Sequence, residues 1–236
     1  MWSYYGSKSK IVNYYPPPKY DKIIEPFAGS ARYFLKYFDR EVILVDKYDV
    51  IVRLWKWLQE CKPSDILKLP KLKQGEFVSD FNLSYEEGLL VGFLAGTAQG
   101  KPRNKISPFA AAQNGRHNQY KNIAKQLFKI KHWKIIQADY TEIENQTATW
   151  FIDPPYQFGG QHQYHFKNKL LNFSDLAIWS EEREGQIIVC ENTKANWMNF
   201  LPMRKIQGAA NSNTTEAIWT NLPTSYSVRQ STIKFT

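Results

Sequence analysis

At 236 residues the chain is long enough to bury a full core, as one domain carrying a sizeable insertion. No apolar run approaches the roughly 20 residues that cross a bilayer, and Met1-Trp2-Ser3-Tyr4-Tyr5 opens no signal peptide, so a soluble intracellular protein with no membrane partner is expected. The formal net charge is +9, and the whole excess sits between Gly88 and Ala138, where nine basic residues meet no Asp or Glu and leave 22 basic against 22 acidic residues elsewhere.

A solvated face normally interleaves both signs, so this concentration reads as a polyanion-binding surface, with a lysine-rich helix face as the plainer alternative. Cys61 and Cys190 fall in a predicted helix and a predicted strand and read as buried free thiols. No Cys/His set has zinc spacing, and no metal is expected.

Trp2 to Lys10 is too rich in Gly and Ser for a helix and runs towards Pro16-Pro17-Pro18, so it reads as an N-terminal arm. Gly6 would let backbone approach a ligand and Lys8 could meet a carboxylate or phosphate; taken alone, a disordered terminus is the default. Lys22 to Glu25 is a short strand that breaks at Pro26-Phe27-Ala28-Gly29-Ser30, and a helix runs from Ala31 to Phe38. A strand, a glycine turn and a helix N-terminus offer bare backbone N–H groups to a ligand, although this is not the G-x-G-x-x-G of dinucleotide enzymes and also fits an ordinary βα turn.

Glu41 to Asp46 is a second strand ending in an acid about 20 residues after the glycine turn, where a carboxylate reaches the ribose hydroxyls of a βαβ nucleoside site. Asp49 to Glu60 is the return helix, closed by Pro63. Residues from about 61 to 133 form an insertion, with a capping box at Ser84-Tyr85-Glu86-Glu87, a loop from Lys101 to Arg116, and a helix from His117 to Ile130. Lys121, Lys125 and Lys129 would line one face of that helix for phosphates. Lys101, Arg103, Asn104, Lys105, Arg116 and Asn118 complete the candidate nucleic-acid contacts, with Arg103, Asn104, Arg116 and Asn118 able to read base edges.

The sheet resumes at Lys134 to Asp139, a third strand ending in an acid, and at Thr149 to Ile152. A helix from about Ser174 to Glu184 precedes a fifth strand, Gln186 to Cys190. Arg204 to Ala209 and Glu216 to Thr220 lack helical crossovers and should form an antiparallel edge on an otherwise parallel sheet. The fourth strand stops at Asp153-Pro154-Pro155-Tyr156, which delivers an acid to the carboxyl edge, where open α/β sheets bind ligands. The Asp153 carboxylate and Pro154 carbonyl, on a turn stiffened by Pro155, could grip both hydrogens of a planar amino group while Tyr156 stacks on its ring. A strand-ending turn in which Asp153 merely caps a helix is the alternative.

This order of arm, Glu-Pro-Phe-Ala-Gly-Ser loop, Asp46 strand, basic insertion and Asp-Pro-Pro-Tyr resembles the DNA adenine methylase family of N6-adenine methyltransferases, from about Tyr4 to Asn221. The resemblance implies a Rossmann-like methyltransferase fold, S-adenosyl-L-methionine as cofactor and DNA as partner, in a prokaryotic or phage-encoded cytoplasmic protein associated with the nucleoid. It implies a catalytic domain over 1–60 and 134–236 with target recognition in 61–133. Tyr4, Gly6 and Lys8 would touch the cofactor, Lys8 near its carboxylate. Glu25, Ala28, Gly29 and Ser30 would lie in the loop beneath its methionine part, with Phe27 near the nucleoside, Asp46 on its ribose and Asp139 by its adenine. Asp153, Pro154, Pro155 and Tyr156 would hold a flipped-out adenine.

Asn211, Ser212 and Asn213 occupy the place of a polar loop beside the active site. The arm reads Gly-Ser-Lys where a double glycine is usual, and the cofactor loop reads Gly-Ser-Ala where many relatives have Gly-Ser-Gly. Methylation of RNA or of cytosine N4, or a catalytically silent nucleic-acid-binding relative, remain open, as does a monomer or a weak dimer. Direct methyl transfer is expected, because Cys61 and Cys190 are remote from the catalytic turn in sequence.

Overall fold

The computed structural model describes residues 1–2, 4–96, 99–112, 116–159, 164–166, 170–207 and 213–223, without the side chains of Phe109, Arg116, His117, Gln207 and Asn213. Seven strands among these residues form one sheet in the order β3-β2-β1-β4-β5-β7-β6. They are β1 (Lys22–Glu25), β2 (Glu41–Asp46), β3 (Lys134–Gln137), β4 (Ala148–Ile152), β5 (Gly185–Asn192), β6 (Leu201–Gln207) and β7 (Asn213–Thr220). The first five run parallel, β7 is antiparallel to β5, and β6 is antiparallel to β7, which gives the antiparallel edge expected of the Rossmann-like methyltransferase fold.

Strand composition explains the arrangement. In β4 the run Thr149-Trp150-Phe151-Ile152 is β-branched or aromatic and buried on both faces, as a central parallel strand must be. Phe151 stacks on Tyr33 at 4.2 Å on one side, while Trp150 meets Trp179 edge-on at 5.6 Å on the other. Truncating either ring to Ala would cost about 3 to 5 kcal/mol.

Helices cover both faces. The first layer holds α1 (Arg32–Lys36), α2 (Asp49–Glu60) and α4 (Tyr85–Leu94) against Ile23, Leu44 and Phe151; α7 (Phe173–Glu181) covers Ile24, Val45 and Ile152. Residues 61–133, including α3 (Pro63–Leu67), α5 (Pro108–Ala112) and α6 (Arg116–Ala124), send Ile66, Leu90, Ile123 and Ile130 into the first of these cores rather than into one of their own. Ser84 and Glu87 form the expected capping box at the start of α4. No helix among the described residues is long and apolar enough to cross a membrane.

Several boundaries move. The helix expected over His117 to Ile130 ends at Ala124, where Gln126 N donates to Ile123 O at 2.9 Å, and continues as a tighter turn over Leu127–Ile130. That change of pitch takes Lys129 off the stripe of Lys121 and Lys125 and sets its ammonium 4.6 Å above the Phe38 ring. The strand expected over Lys134 to Asp139 stops at Gln137, because Asp139 caps the turn Tyr140–Glu142 through its bond from Thr141 N at 3.1 Å. The helix before β5 starts at Phe173, capped by Asn172, and ends at Glu181.

Candidate active site

The sheet changes winding direction between β1 and β4, and ligands of open α/β sheets bind at that point outside the carboxyl ends of the strands. A cavity of about 330 Å³ lies there. Tyr4, Gly6 and Lys8 of the arm line it, with Glu25, Phe27, Ala28, Gly29 and Ser30 after β1, Asp46 at the tip of β2, Asp139 after β3, and Asp153 and Pro155 after β4. Pro154 and Tyr156 are not among the residues that line it.

The glycine turn is held from several sides. Gly29 has φ +45, and its N–H donates to Asp46 Oδ2 at 3.0 Å while its carbonyl accepts from the Trp55 indole of α2 at 2.9 Å. The Tyr4 ring sits so close that a Cβ on Gly29 would come within 3.0 Å of it. Ala31, the position at which the resemblance expects glycine, has φ 47, a left-handed conformation costly for an L side chain. Asp46 Oδ1 also accepts from Tyr48 N at 2.9 Å, and burial pushes its carboxyl up to about 6 against these two bonds.

The arm is part of the folded body rather than a loose terminus. Trp2 packs 4.7 Å from Trp55, and Arg32 of α1 donates to Trp2 O at 2.7 Å and Ser7 Oγ at 3.0 Å. At Gly6, φ is +75 and a Cβ would stand 2.5 Å from the Tyr164 hydroxyl, so a residue following the Asp153–Tyr156 turn packs against the arm.

Lys8, expected near a cofactor carboxylate, has instead a carboxylate of the protein. Its Nζ lies 2.7 Å from Asp153 Oδ1 and 3.8 Å from Glu216 Oε1, donates to Gly6 O at 3.0 Å, and stands 4.8 Å over the Tyr156 ring. These acids hold the ammonium charged despite its burial, which pulls the other way. Burial pushes the Asp153 carboxyl up to about 6, with Lys8 opposing and Glu216 adding to the rise. The Tyr156 hydroxyl donates to Glu216 Oε1, so its ring is fixed at both ends.

The Asp153-Pro154-Pro155-Tyr156 turn is stitched to the tip of β5. Glu191 accepts from Gln157 N at 2.5 Å and Trp197 Nε1 at 3.3 Å, and Asn192 Nδ2 donates to Phe158 O at 2.9 Å. Burial pushes the Glu191 carboxyl up to about 7. Cys190, remote in sequence, is not remote in space. The β4–β5 register sets Val189 beside Ile152, so Cys190 flanks Asp153. It is fully buried, and burial followed by the Asp153 charge pushes its thiol well up, so it is neither exposed nor a thiolate.

At the far end, Asp139 accepts from Lys47 Nζ at 2.8 Å and from Thr141 N and Oγ1 at 3.1 and 3.0 Å. Burial opposes its ionisation, but these bonds outweigh it and hold its carboxyl below the usual range. Phe27 lies 5.5 Å from Tyr140, and Tyr48 stacks flat on His165 at 4.2 Å, an aromatic wall the sequence did not disclose. Glu216 and Glu191 were also missed. Each is one acid in a β-run whose partners lie tens to hundreds of residues away, and only the register brings them here.

The lining suits a nucleoside-bearing cation. Glu25 is buried, its Oε2 has no hydrogen-bond partner, and it faces the cavity, where an ammonium would supply the missing donor. Burial and then the Asp153 charge push its carboxyl well up, which a bound cation would reverse. Aromatic rings and Asp46 at the other end fit a purine and a ribose. No metal-holding cluster of His, Cys, Asp and Glu occurs among the described residues.

The candidate nucleic-acid residues lie apart from the cavity lining. Lys101, Arg103, Lys105, Lys121, Lys125 and Asn118 are exposed, and none of these cations has an acidic partner among the described residues. Asn104 is spent on a turn: its side chain accepts from Ser79 N at 2.9 Å and donates to Ser79 Oγ at 3.1 Å. Lys131 donates to the carbonyls of Gln59 and Cys61 at the end of α2, a structural use of one of the nine charges. The Arg116 side chain lies outside the described residues, as do Asn211, Ser212 and the Asn213 side chain.

No protein-family model and no curated protein matches the chain. Among solved structures it is similar to yhhF, a provisionally assigned methyltransferase of Escherichia coli, at 10% identity and a TM-score of 0.35, over 89% of this chain and 78% of that one. At that distance the likeness bears on no residue's role.

Proposed function

We propose that the chain is an S-adenosylmethionine-dependent methyltransferase acting on the N6 amine of a flipped-out adenine in DNA. One observation carries the reading: the Glu25-to-Ser30 turn, Asp46 and Asp153 line a single cavity, so a nucleoside-type cleft opens onto an amine-gripping turn. The exposed cations of residues 101–125 support a nucleic-acid substrate, and Asp153, part-exposed in the wall of the cavity, supports extrusion of the base, since an amine stacked in a duplex could not reach it.

In this reading Glu25 takes the ammonium of the cofactor, Asp46 its ribose hydroxyls, and Phe27 with Asp139 its adenine end. Bound S-adenosylmethionine supplies an electrophilic methyl group. Lys8 occupies Asp153 Oδ1 and leaves the second oxygen for an amine hydrogen, with the Pro154 carbonyl as the other acceptor. Gripping both hydrogens turns the nitrogen lone pair out of the ring plane and towards the methyl. Asp153 then receives the proton that the amine sheds, and no covalent enzyme species is needed.

The test is transfer of labelled methyl to duplex DNA, with RNA and cytosine-only duplexes alongside and calorimetry for the cofactor. Methyl on adenine N6 and micromolar-range cofactor binding are expected. No cofactor binding would favour a silent nucleic-acid-binding relative, and label in RNA or cytosine alone would reassign the substrate.

A further inference from the structure

Glu216, near the middle of β7, has no part in the reading above, yet it reaches Tyr15, Tyr156 and Lys8 at once. It is 4% exposed, and its Oε1 accepts from the Tyr15 hydroxyl at 2.5 Å and from the Tyr156 hydroxyl. Its backbone is fixed on both sides, opposite Asn192 of β5 and Arg204 of β6. One reading of such an acid is simple neutralisation of Lys8. Distance argues against it: Lys8 already has Asp153 at 2.7 Å and Gly6 O at 3.0 Å, while Glu216 stands off at 3.8 Å and makes its short contacts with phenols.

A phenol pinned at its hydroxyl cannot swing about its Cα–Cβ bond, so the acid governs the tilt of the Tyr156 ring. Sharing Lys8 also sets how much of that ammonium Asp153 commands. We propose that Glu216 is a positioning residue for amine methylation: through the Tyr156 hydroxyl it fixes the ring that stacks on the target base, and through Lys8 the carboxylate that grips its amine. The inference rests on the methyltransferase reading.

Replacement by glutamine keeps the shape and removes the charge. Lys8 and Tyr15 before β1, Glu25 at the end of β1, Tyr156 and Tyr164 after β4, Cys190 and Glu191 on β5, and Glu216 on β7 all act electrostatically on Asp153, and Glu216 raises its carboxyl while Lys8 lowers it. In Glu216→Gln, Lys8 would belong to Asp153 alone, and the carboxylate would persist to lower pH.

The experiment compares wild type with Glu216→Gln in steady-state methyl transfer to an adenine duplex across pH, with melting curves for folding and calorimetry for the cofactor. Expected are a kcat lowered by about 10- to 100-fold, an unchanged cofactor Kd, and an acid limb of kcat/KM displaced to lower pH. A folded Glu216→Gln enzyme with wild-type kcat and an unmoved limb overturns the inference and leaves the function standing. Should that variant not fold, Tyr156→Phe keeps the ring and removes the hydroxyl: a comparable fall in kcat with the limb in place supports the inference, and a wild-type kcat overturns it. A wild type that transfers no methyl sinks the methyltransferase reading, and this inference with it, in the control itself.

Discussion

The carboxyl edge of the sheet and the basic face of residues 88–138 use the same side chain in opposite ways. At the edge, Lys8 is 5% exposed and is held by Asp153, Gly6 O and the nearby Glu216. On the basic face, Lys121 and Lys125 stand in solvent with no acid among the described residues to hold them. Desolvating a lysine costs several kcal/mol unless a carboxylate answers it, so the first is a fixed charge locked into geometry. The second pair keeps its hydration and its freedom, which a long polyanion can displace at many registers. Under the proposed function, a site that aligns one amine and a surface that tolerates many sequences would call for different burial of one residue type.

The largest way to break the contrast is Asp153→Asn, which leaves Lys8 buried without its closest counter-charge and removes the anionic acceptor. Methyl transfer is expected to fall by about 10²- to 10³-fold with DNA binding intact; retained turnover would empty the catalytic assignment. Asp46→Ala frees Gly29 N and Tyr48 N together, and the cofactor Kd measured by calorimetry should rise about 10- to 100-fold, the equivalent of one charged hydrogen bond.

Wild-type kcat/KM should also decline as pH falls through about 6, because the Asp153 carboxyl is pushed up to that value and the acceptor is its ionised form. A profile flat from pH 5 to 8 would exclude Asp153 as the titrating acceptor. On the other face, Lys121→Ala with Lys125→Ala should weaken binding to all duplexes alike and lower the salt slope by about 2, while Lys129→Ala, drawn over Phe38, should change it less. An equal effect from all three would restore the continuous stripe. Smallest is Ala31→Gly, which removes the left-handed strain at the start of α1 and should raise stability by about 1 kcal/mol in a melt.

Much of this was legible in the chain itself, for physical reasons that can be named. Thr149 to Ile152 could only be a buried strand, and Pro154-Pro155 could only end it, so Asp153 had to reach an edge. The Gly29 turn and Asp46 were readable because their pairing is local, 17 residues apart. What local pattern does not carry is the cross-chain pairing. Nothing in Asn-Thr-Thr-Glu of β7 tells that Glu216 will meet Tyr15, and nothing in the arm tells that Lys8 will turn to Asp153 rather than to a ligand. The helix break at Ala124 was hidden too, since the apolar spacing of Tyr120, Ile123, Leu127 and Ile130 suits a continuous helix and its tighter continuation alike.

The hydrogen bond from Tyr15 to Glu216 joins residues 201 positions apart. Closing a loop over such a distance costs more chain entropy than a local contact and slows its formation. A nascent polypeptide halted after β5 would own the aspartate, the lysine and the proline turn, yet lack Glu216, the acid that pins the Tyr156 hydroxyl. The seventh strand thus brings Glu216 to Tyr15 and Tyr156 last, and full activity should appear in refolding after the sheet's parallel half has already formed.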